Sequence, residues 1–466
     1  MSADPALPPA GARALVHGLG RFGGGLEATR HLRRRGCEVR VADRSDAADL
    51  QEVAAAFGDR GVDWQLGRED AALLDDVDLV VTSPAVPDDS SLLQEARRRG
   101  LPITQECELF LAAYPGRVVG VTGTNGKSST ATLMHRALTR AGVDALLGGN
   151  IGHSLLADEA SWRADQVAVL EMSSFQLERL APGREVHGAV FTRVGRDHLD
   201  RHGTLARYRA AKGRLAAAAT AFVVHAADDP VAASYPSRAA QRGYYSLEAP
   251  GPGSAGVRDG FVEVRVGRAP ARPLLHKDAL ALLGDFQLEN VMASALAALW
   301  LGADARPTGL ALATAQPLPY RLQLLHVVDG VHVYDNSVST EVESTRQALR
   351  ALRARGRQVR WLGGGKSKDG DYAAVAAALQ EHAASAHVFG AAAAPLVAAI
   401  DGGMPVTGHE HLEDALGAAM AGARPGDAVL FSPAFASFDQ YPNFRARARE
   451  FHRLVRERRA ADAARG

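Results

Sequence analysis

The segment 117–135 restricts the fold of this 466-residue chain more than any other part of it. Residues 117–121 form an apolar run that predicts a buried strand, residues 122–129 have the sequence Thr-Gly-Thr-Asn-Gly-Lys-Ser-Ser, and a helical pattern follows. The first N–H groups of a helix have no partner inside the helix, and the helix dipole favours negative charge there. A strand, a glycine-rich turn and a helix N-terminus in this order predict an α/β domain with a phosphate-binding loop.

Two side chains of this loop carry the predicted chemistry. Lys127 is placed to reach the outer phosphates of a nucleotide, and the Ser128 hydroxyl is placed to bind Mg²⁺. The generic phosphate-loop motif requires a glycine where Val121 stands, so only its second half matches. A glycine-rich turn that happens to contain a lysine is the alternative, but the strand before it and the helix after it favour the phosphate loop.

The N-terminal region has a second pattern that predicts a nucleotide ligand. A strand at 14–17 is followed by a Gly-x-Gly-x-x-Gly turn at 18–23, a helix and a second strand that ends at Asp43. Asp43 follows the last glycine at the distance of about 20 residues that a dinucleotide fingerprint requires. NAD binding by a dehydrogenase is one interpretation, and a cradle for another pyrophosphate, such as that of a UDP-sugar, is the other.

Length and composition limit the function classes. At roughly 150 residues per domain, the chain is long enough for about three domains. Lys and Arg balance Asp and Glu, so no basic field for nucleic acid or anionic lipid is expected. The two cysteines form no disulfide framework or zinc motif, and we find no signal sequence and no membrane-spanning apolar run. We expect a soluble cytoplasmic monomer without membrane insertion.

The position of a titratable residue relative to the predicted strands and helices indicates its environment. Glu171 follows the buried strand 167–170, and a carboxylate at the C-terminal end of such a strand lies at the ligand crevice, so it is a candidate Mg²⁺ ligand beside Ser128. Glu178 is expected to be a solvated residue at a helix start. Lys212, by residue type alone, is expected to be a surface lysine of a helix. The Gly- and Pro-rich residues 245–275 predict short peripheral strands.

The loop at 122–128 also resembles the nucleotide loop of the Mur ligases and of their folylpolyglutamate synthase relatives. The resemblance extends from Gly18 to Phe451, and its motifs occur in the order of the family at 148–152, 171–177, 197–201, 208–212, 319–321 and 432–444. Glu-x-Ser-Ser-Phe-Gln at 171–176 and Ala-Ser-x-Asp-Gln at 436–440 are similar to the glutamate-adding Mur ligases and argue against a folylpolyglutamate synthase.

This resemblance implies an α/β fold of three domains. They are an N-terminal Rossmann-like domain at 1–115 that binds a UDP-substrate, a central P-loop ATPase at 116–317 and a C-terminal Rossmann-like domain at 318–466 that binds glutamate. The implied activity is ATP-dependent ligation of glutamate, first of all D-glutamate, to UDP-N-acetylmuramoyl-L-alanine through an acyl phosphate in peptidoglycan precursor synthesis. An L-glutamate-adding variant and a non-catalytic ATP-binding paralogue are the alternatives.

The resemblance also implies roles for residues around ATP. The cofactors are ATP and two Mg²⁺ ions, the catalytic residues are Lys127, His198 and Lys212, and the metal ligands are Ser128, Glu171, His198 and Lys212, the last as a carbamate. The implied ATP-binding residues are Gly123, Thr124, Asn125, Gly126, Lys127, Ser128, Ser129, Asn290, Arg321 and Asn336.

The implied substrate residues are Arg21, Phe22, Asp43, Ser83, Asn150, Thr340, Lys368, Ser437 and Phe444. The chain departs from the family pattern at several of these motifs. Phe286-Gln287 stand where the family has His-Asn, Asn336 replaces an aspartate that contacts ribose, and Val338 replaces a basic residue. Asp335 is a candidate to replace the missing acid, and Lys366 is the alternative to Lys368.

Overall fold

The computed structural model describes residues 4, 6–19, 23–45, 48–58, 61–367 and 370–463. Its backbone contacts divide the chain into two compact units, one of residues 1–277 and 289–313 and the other of residues 278–288 and 314–466. Three sheets with helices between their strands make up the described parts, and the predicted α/β class is confirmed.

The first sheet contains five parallel strands in the order β3-β2-β1-β4-β5. The strand order reverses between β1 and β4, and in such sheets ligands bind at this point, outside the carboxyl ends of the strands. The predicted N-terminal Rossmann-like arrangement is therefore present. Its strands are β1 (Arg13–His17), β2 (Glu38–Asp43), β3 (Val62–Leu66), β4 (Leu79–Thr82) and β5 (Ile103–Thr104), and its helices are α1 (Gly24–Arg34), α2 (Ala48–Ala56), α3 (Ser91–Arg98) and α4 (Glu106–Ala113).

The second sheet has nine strands in the order β14-β13-β12-β11-β10-β9-β6-β8-β7. Its strands are β6 (Arg117–Thr122), β7 (Ala145–Gly149), β8 (Val167–Glu171), β9 (Val186–Phe191), β10 (Ala219–Ala226), β11 (Gln241–Tyr245), β12 (Ser254–Arg258), β13 (Phe261–Arg265) and β14 (Arg272–His276). The accompanying helices are α5 (Lys127–Arg140), α6 (Ser174–Glu178), α7 (Leu199–His202), α8 (Leu205–Ala218), α9 (Pro230–Ala233), α10 (Asp285–Trp300) and α11 (Ala305–Ala313). The strands β6, β8 and β9 are nearly continuous apolar runs because both faces of a parallel sheet are covered. The short strands expected at 245–275 are β12 to β14, at one edge of the sheet.

The third sheet lies in the second unit and has the order β15-β16-β20-β17-β18-β19. All neighbours are parallel except β15 and β16, so it is also a Rossmann-like sheet with one antiparallel edge strand. Its strands are β15 (Gln323–Val328), β16 (Val331–Asp335), β17 (Val359–Gly364), β18 (Ser385–Phe389), β19 (Val406–His409) and β20 (Ala428–Ala434), and its helices are α12 (Val342–Ala354), α13 (Tyr372–His382), α14 (Ala393–Ile400), α15 (Leu412–Ala421) and α16 (Phe444–Ala463).

The first two sheets share one apolar core. It includes side chains of both, and the rings of Phe110 and Tyr114 stack at 4.9 Å between centroids beside Trp162 of the central region. The three sheets follow the predicted domain order, but the backbone contacts place the first two in one unit, so the boundary at 115–116 stays a prediction. Across the described ranges, no helix is both long enough and apolar enough to cross a membrane.

Candidate active site

The loop between β6 and α5 has backbone conformations that require its glycines. Gly126 is the N-cap of α5 with φ of 84°, and a Cβ placed on it would lie 2.5 Å from Asn290 Oδ1. Gly123 has φ of 147°, and a Cβ there would lie 1.7 Å from Thr192 Oγ1. A side chain at either position would therefore collide as well as strain the backbone. The strand, turn and helix occur as the sequence predicts.

Ser128 and Glu171 are brought together at the carboxyl ends of adjacent strands. The Ser128 hydroxyl donates to Glu171 Oε2 at 2.6 Å, and the Asn150 amide donates to Glu171 Oε1 at 3.0 Å. Ser128 and Glu171 are both buried. β6 and β8 are hydrogen-bonded neighbours, which places the phosphate loop and the carboxylate side by side. A buried carboxylate and hydroxyl offer oxygen ligands of the kind that Mg²⁺ prefers.

Lys127 folds back over the loop that contains it. Its Nζ donates to the carbonyl of Thr124 at 2.7 Å and to that of Gly123 at 3.2 Å. The ammonium group is therefore held at the mouth of the same turn whose backbone N–H groups begin α5. This position agrees with the predicted role toward the outer phosphates, and the role itself stays a prediction.

Lys212 is the largest departure from an expectation based on residue type. A surface helix lysine was expected, but Lys212 lies in α8 with only 1% of its surface exposed, so that expectation is wrong. Its Nζ donates to the carbonyl of Gly123 at 2.7 Å and lies 4.8 Å from the centre of the Tyr208 ring. Burial, followed by the nearby charge of Lys127, lowers the pKa of Lys212 well below its usual value.

His198 precedes α7 with φ of 50°, in the left-handed region. Its Nε2 lies 3.1 Å from Asp197 Oδ2, its ring is 4.9 Å from that of Phe175, and 43% of its side chain is exposed. Glu178, expected at a helix start, is instead the last residue of α6, and its Oε1 lies 3.6 Å from His202 Nδ1. In the described parts of the chain, no three His, Cys, Asp or Glu side chains form a group that could hold a metal by themselves.

Thr192 and Tyr208 help to shape the loop, although neither was among the predicted site residues. The Thr192 hydroxyl donates to the carbonyl of Asn125 at 2.6 Å, and the hydroxyls of Thr124 and Tyr208 are 2.9 Å apart. Asn290 of α10 accepts a hydrogen bond from the Thr130 hydroxyl at 3.1 Å, so it supports the first turn of α5. Thr192 could have been identified from the sequence as a candidate site residue, because it follows a strand that lies beside β6. Ser129, which follows Ser128 in the first turn of α5, is also buried.

The N-terminal crevice lies at the strand-order reversal described above. Asp43 Oδ2 accepts from the Leu19 N–H at 3.0 Å, so the acid at the end of β2 fixes the glycine turn after β1. A Cβ on Gly18 would lie 3.1 Å from Ser83 Cβ, so the loop after β4 packs directly on this turn. Asp43 and Ser83 are thus brought together. Arg21 and Phe22 lie outside the described residues.

In the second unit, the expectation that Asp335 replaces the missing ribose acid is wrong. Asp335 is fully buried, its Oδ2 lies 2.6 Å from His452 Nε2, and its Oδ1 accepts from the Ser337 N–H at 2.8 Å. The Asn336 amide donates to the Ser432 hydroxyl at 3.0 Å and accepts from the Leu322 N–H at 3.2 Å. Both side chains therefore hold β16 and its neighbours together.

The remaining predicted residues of this unit lie on loops at the ends of its strands. Ser437 is buried just after β20, Phe444 begins α16, and Thr340 is half-buried before α12. Arg321 follows Tyr320, whose φ is 70°. The backbone of Lys366 forms an antiparallel bridge with Ala436, and its side chain is exposed. Lys368 lies outside the described residues, so the choice between the two lysines stays open.

Comparison with known proteins decides the family. Mur ligase models match three consecutive ranges: the MurD-like N-terminal domain at 12–105, the middle domain at 121–298 and the glutamate ligase domain at 320–435. The UDP-N-acetylmuramoylalanine–D-glutamate ligase of Acidobacterium capsulatum is 35% identical over 461 residues, covering 97% of this chain and 98% of that protein. The chain belongs to the Mur ligase family. This membership makes it an ATP-dependent ligase and confirms the resemblance that the motifs indicated.

Other relatives agree with this assignment. The enzyme of the same name from Solibacter usitatus is 35% identical over 449 residues, covering 96% of this chain and 98% of that protein. Among solved structures, UDP-N-acetylmuramate–alanine ligase MurC from Thermotoga maritima has a TM-score of 0.63 at 17% identity, covering 96% of this chain and 99% of that one. MurF ligase from Thermotoga maritima in complex with ADP has a TM-score of 0.60 at 16% identity, with 97% of each chain covered. At these identities the two structures support the Mur ligase fold.

Proposed function

We propose that this Mur ligase joins D-glutamate to UDP-N-acetylmuramoyl-L-alanine, with hydrolysis of ATP to ADP and phosphate, as a step of peptidoglycan precursor synthesis. The names and near-complete coverage of the relatives support the substrates. The observation that carries the chemistry is the buried pair of Ser128 and Glu171 at the phosphate loop, with Asn150 hydrogen-bonded to Glu171. A dehydrogenase would have no use for this group.

The reaction follows from the chemistry of the two substrates. The alanine carboxylate attacks the γ-phosphorus of ATP, the bond to the β,γ-bridging oxygen breaks, and ADP leaves with that oxygen. The glutamate amine then attacks the acyl phosphate carbon, loses a proton, and expels inorganic phosphate. Phosphoryl transfer needs positioning and charge neutralisation more than covalent help from the protein. In this proposal the Lys127 ammonium group leaves the carbonyls of Gly123 and Thr124 and binds the outer phosphates, whose negative charge it neutralises.

The residues at the loop fit a magnesium ion bound together with ATP. Ser128 and Glu171 would hold one ion, and few protein ligands are needed because Mg²⁺ commonly retains phosphate and water ligands. His198 and a carbamate on Lys212 would hold a second. Bound Mg²⁺ neutralises charge on the transferring phosphoryl group. Asn150, by its hydrogen bond to Glu171, keeps the carboxylate oriented and presents its remaining polar atoms to the muramoyl end of the substrate.

The environment of Lys212 supports carbamylation. Carbon dioxide reacts with a neutral amine, and the lowered pKa of Lys212 increases the fraction of neutral amine at physiological pH. The amine nitrogen forms a bond to the carbon of CO₂ and loses a proton, so the product carries one negative charge beside Lys127. This charge attracts the Lys127 ammonium group, and the carbamate converts a poor metal ligand into an oxygen ligand.

The substrate residues divide between the two ends of the chain. In the proposed assignment, Asp43 and Ser83 with Arg21 and Phe22 bind the UDP part. Arg321, Asn336 and Asn290 contact ATP, and Thr340, Lys368, Ser437 and Phe444 bind glutamate. Ser437 and Phe444 flank one loop after β20, which agrees with a shared ligand.

Purified protein with ATP, Mg²⁺, UDP-N-acetylmuramoyl-L-alanine and D-glutamate should release ADP, and omission of either acceptor substrate should abolish steady release. Lys127→Ala and Glu171→Gln should each lower kcat on the order of 10²-fold or more because they remove charge stabilisation at the phosphates. Lys277→Ala is the matched control, since Lys277 is exposed and lies outside the loop. Wild-type rates in both loop variants would contradict the proposal.

A second candidate is the same ligation with L-glutamate. Val338 stands where the family has a basic residue, two positions before Thr340, and the Asn336 side chain forms hydrogen bonds inside its own unit. Both changes lie in the segment that the resemblance assigns to the amino acid and ATP. ADP release in parallel assays with D- and L-glutamate distinguishes the two candidates, and release with neither would favour the non-catalytic paralogue.

A further inference from the structure

The loop after β4 forms one wall of the N-terminal crevice. Its Ser83 N–H donates to the carbonyl of His17 at 2.9 Å, and its Ser83 and Val86 side chains would lie 3.1 and 3.3 Å from a Cβ on Gly18. These residues stand on either side of the point where the strand order reverses between β1 and β4. A ligand of this crevice therefore contacts a wall whose position depends on what holds residues 83–88, hereafter the crevice loop.

A side chain from the central region holds the crevice loop. Arg179, which directly follows α6, donates to the carbonyl of Ser83 at 3.1 Å, to that of Val86 at 2.7 Å, and to Asp88 Oδ1 at 2.8 and 3.1 Å. Its side chain is only 9% exposed. Arg201 adds a fifth hydrogen bond, to the carbonyl of Val86 at 2.9 Å. A planar guanidinium is suited to several fixed acceptors at once.

Arg179 is connected to the phosphate site by a short segment. Glu171, at one end, accepts from the Ser128 hydroxyl, and Arg179, at the other end, binds the crevice loop. Between them, Ser173 and Gln176 form a capping box that fixes the start of α6, and the Gln105 amide donates to the carbonyl of Gln176 at 2.7 Å. The segment 171–179 therefore has a defined conformation at both ends and in the middle.

We propose that Arg179 is a positioning residue that fixes the crevice loop for the nucleotide end of the UDP-substrate and sets its distance from the phosphate loop. This inference rests on the proposed function, because it takes the crevice as the site of that substrate. A residue of the central region thereby contributes to the affinity for a ligand that binds in the N-terminal crevice. Arg179 itself contacts the loop rather than the reacting atoms.

The neighbouring Arg97 provides a matched control. Arg97 donates to the same Asp88 Oδ1 at 3.1 Å and to the carbonyl of Asp88 at 2.6 Å, but it lies on α3 within the N-terminal region, and 48% of its side chain is exposed. Loss of Arg97 removes both of its hydrogen bonds to Asp88, at the end of the crevice loop, and leaves the bonds from Arg179 to Ser83 and Val86 intact. The two variants therefore separate loss of charge near Asp88 from loss of the connection between the two regions.

The experiment compares Arg179→Ala, Arg179→Lys and Arg97→Ala in the full chain. Steady-state kinetics and calorimetric titration with UDP-N-acetylmuramoyl-L-alanine in the absence of ATP are the two measurements. Arg179→Ala should raise both KM and Kd for this substrate roughly tenfold, because a misplaced wall loses contacts. KM for ATP should stay within about twofold. Arg179→Lys should give KM and Kd values between those of Arg179→Ala and the wild type. Arg97→Ala should have the wild-type values.

The outcomes are distinguishable. If wild-type protein ligates its substrates and Arg179→Ala keeps the wild-type KM and Kd for the UDP-substrate, the inference is overturned while the proposed function stands. An equal rise in KM for ATP and for the UDP-substrate in Arg179→Ala and Arg179→Lys overturns it as well, because that pattern indicates general damage to the fold. Failure of the wild type to bind the UDP-substrate overturns both.

Discussion

At the scale of single residues, Lys212 is the side chain on which the proposed second magnesium site depends, and it is buried beneath the phosphate loop. Glu171 and Ser128 were found from the sequence because each follows a buried strand, and parallel strands end at the same edge of a sheet. Lys212 could not be found in this way. A lysine in a helix is ordinarily solvated, and its burial beneath the phosphate loop arises from tertiary packing of α8 against β6. Only the family resemblance indicated its role.

Lys212 gives a prediction about carbon dioxide and pH. Lys212→Ala should lower kcat on the order of 10²-fold, with partial recovery on addition of a small carboxylic acid that can occupy the space of the carbamate. In the wild type, activity should fall in CO₂-depleted buffer. The loss should increase as the pH decreases, because protonation removes the neutral amine that reacts with CO₂. Lys277→Ala should keep both the wild-type kcat and the wild-type dependence on CO₂. Activity of the wild type that does not depend on CO₂ would contradict carbamylation.

At the scale of secondary structure, α16 shows the limit of pattern reading. The amphipathic pattern of residues 445–466 predicts a helix, and the helix Phe444–Ala463 confirms it. The pattern did not predict that Arg447 is fully buried, because charged residues usually mark the solvated face. Arg447 donates to the carbonyls of Gly364 and Phe435, each at 2.9 Å, and so joins the ends of β17 and β20. These strand ends lead into the loops that carry Lys366 and Ser437.

Loss of Arg447 should therefore affect glutamate binding. Arg447→Met should raise KM for glutamate by roughly tenfold or more and lower the free energy of unfolding by about 2–4 kcal/mol, because two buried carbonyls lose their donors. Burial lowers the pKa of Arg447 to about 10, so the guanidinium stays protonated at neutral pH and its contribution should not vary between pH 6 and 8. Arg449→Met, at an exposed position of the same helix, is the control. Kinetics and urea unfolding of both variants test this, and an unchanged KM for glutamate would argue against a positioning role.

At the scale of the whole molecule, the order of the three sheets could be predicted from the order of the sequence motifs. The grouping of the first two sheets in one compact unit could not. The sequence separated the first two sheets at 115–116, but one apolar core and several polar contacts join them. Residues far apart in sequence make these contacts, so local patterns contain no signal for them. The Ser154 hydroxyl, for example, donates to the Glu106 carboxylate at the start of α4.

Because of Glu106, we expect the stability of these contacts between the first two sheets to depend on pH. Burial raises the pKa of Glu106 from its ordinary value of 4.5 to about 7, so above pH 4.5 the unfolded chain releases this proton more readily than the folded chain. Stability relative to a Glu106→Gln variant should therefore decrease as the pH rises from about 4.5 through 7, by about 3 kcal/mol in total, since one pKa unit corresponds to about 1.4 kcal/mol. Urea unfolding followed by tryptophan fluorescence at pH 5 and pH 8 measures this. An equal difference in stability between the wild type and Glu106→Gln at the two pH values would contradict this prediction.

The proposed reaction forms an amide between glutamate and UDP-N-acetylmuramoyl-L-alanine. Mass spectrometry of the UDP-product, alongside ADP quantified in the same reaction, tests it most directly. We predict a product heavier by one glutamyl residue, formed in a one-to-one ratio with ADP and at a strongly reduced rate in Lys127→Ala. ADP formation without the heavier product, or no turnover with either enantiomer of glutamate, would contradict the account.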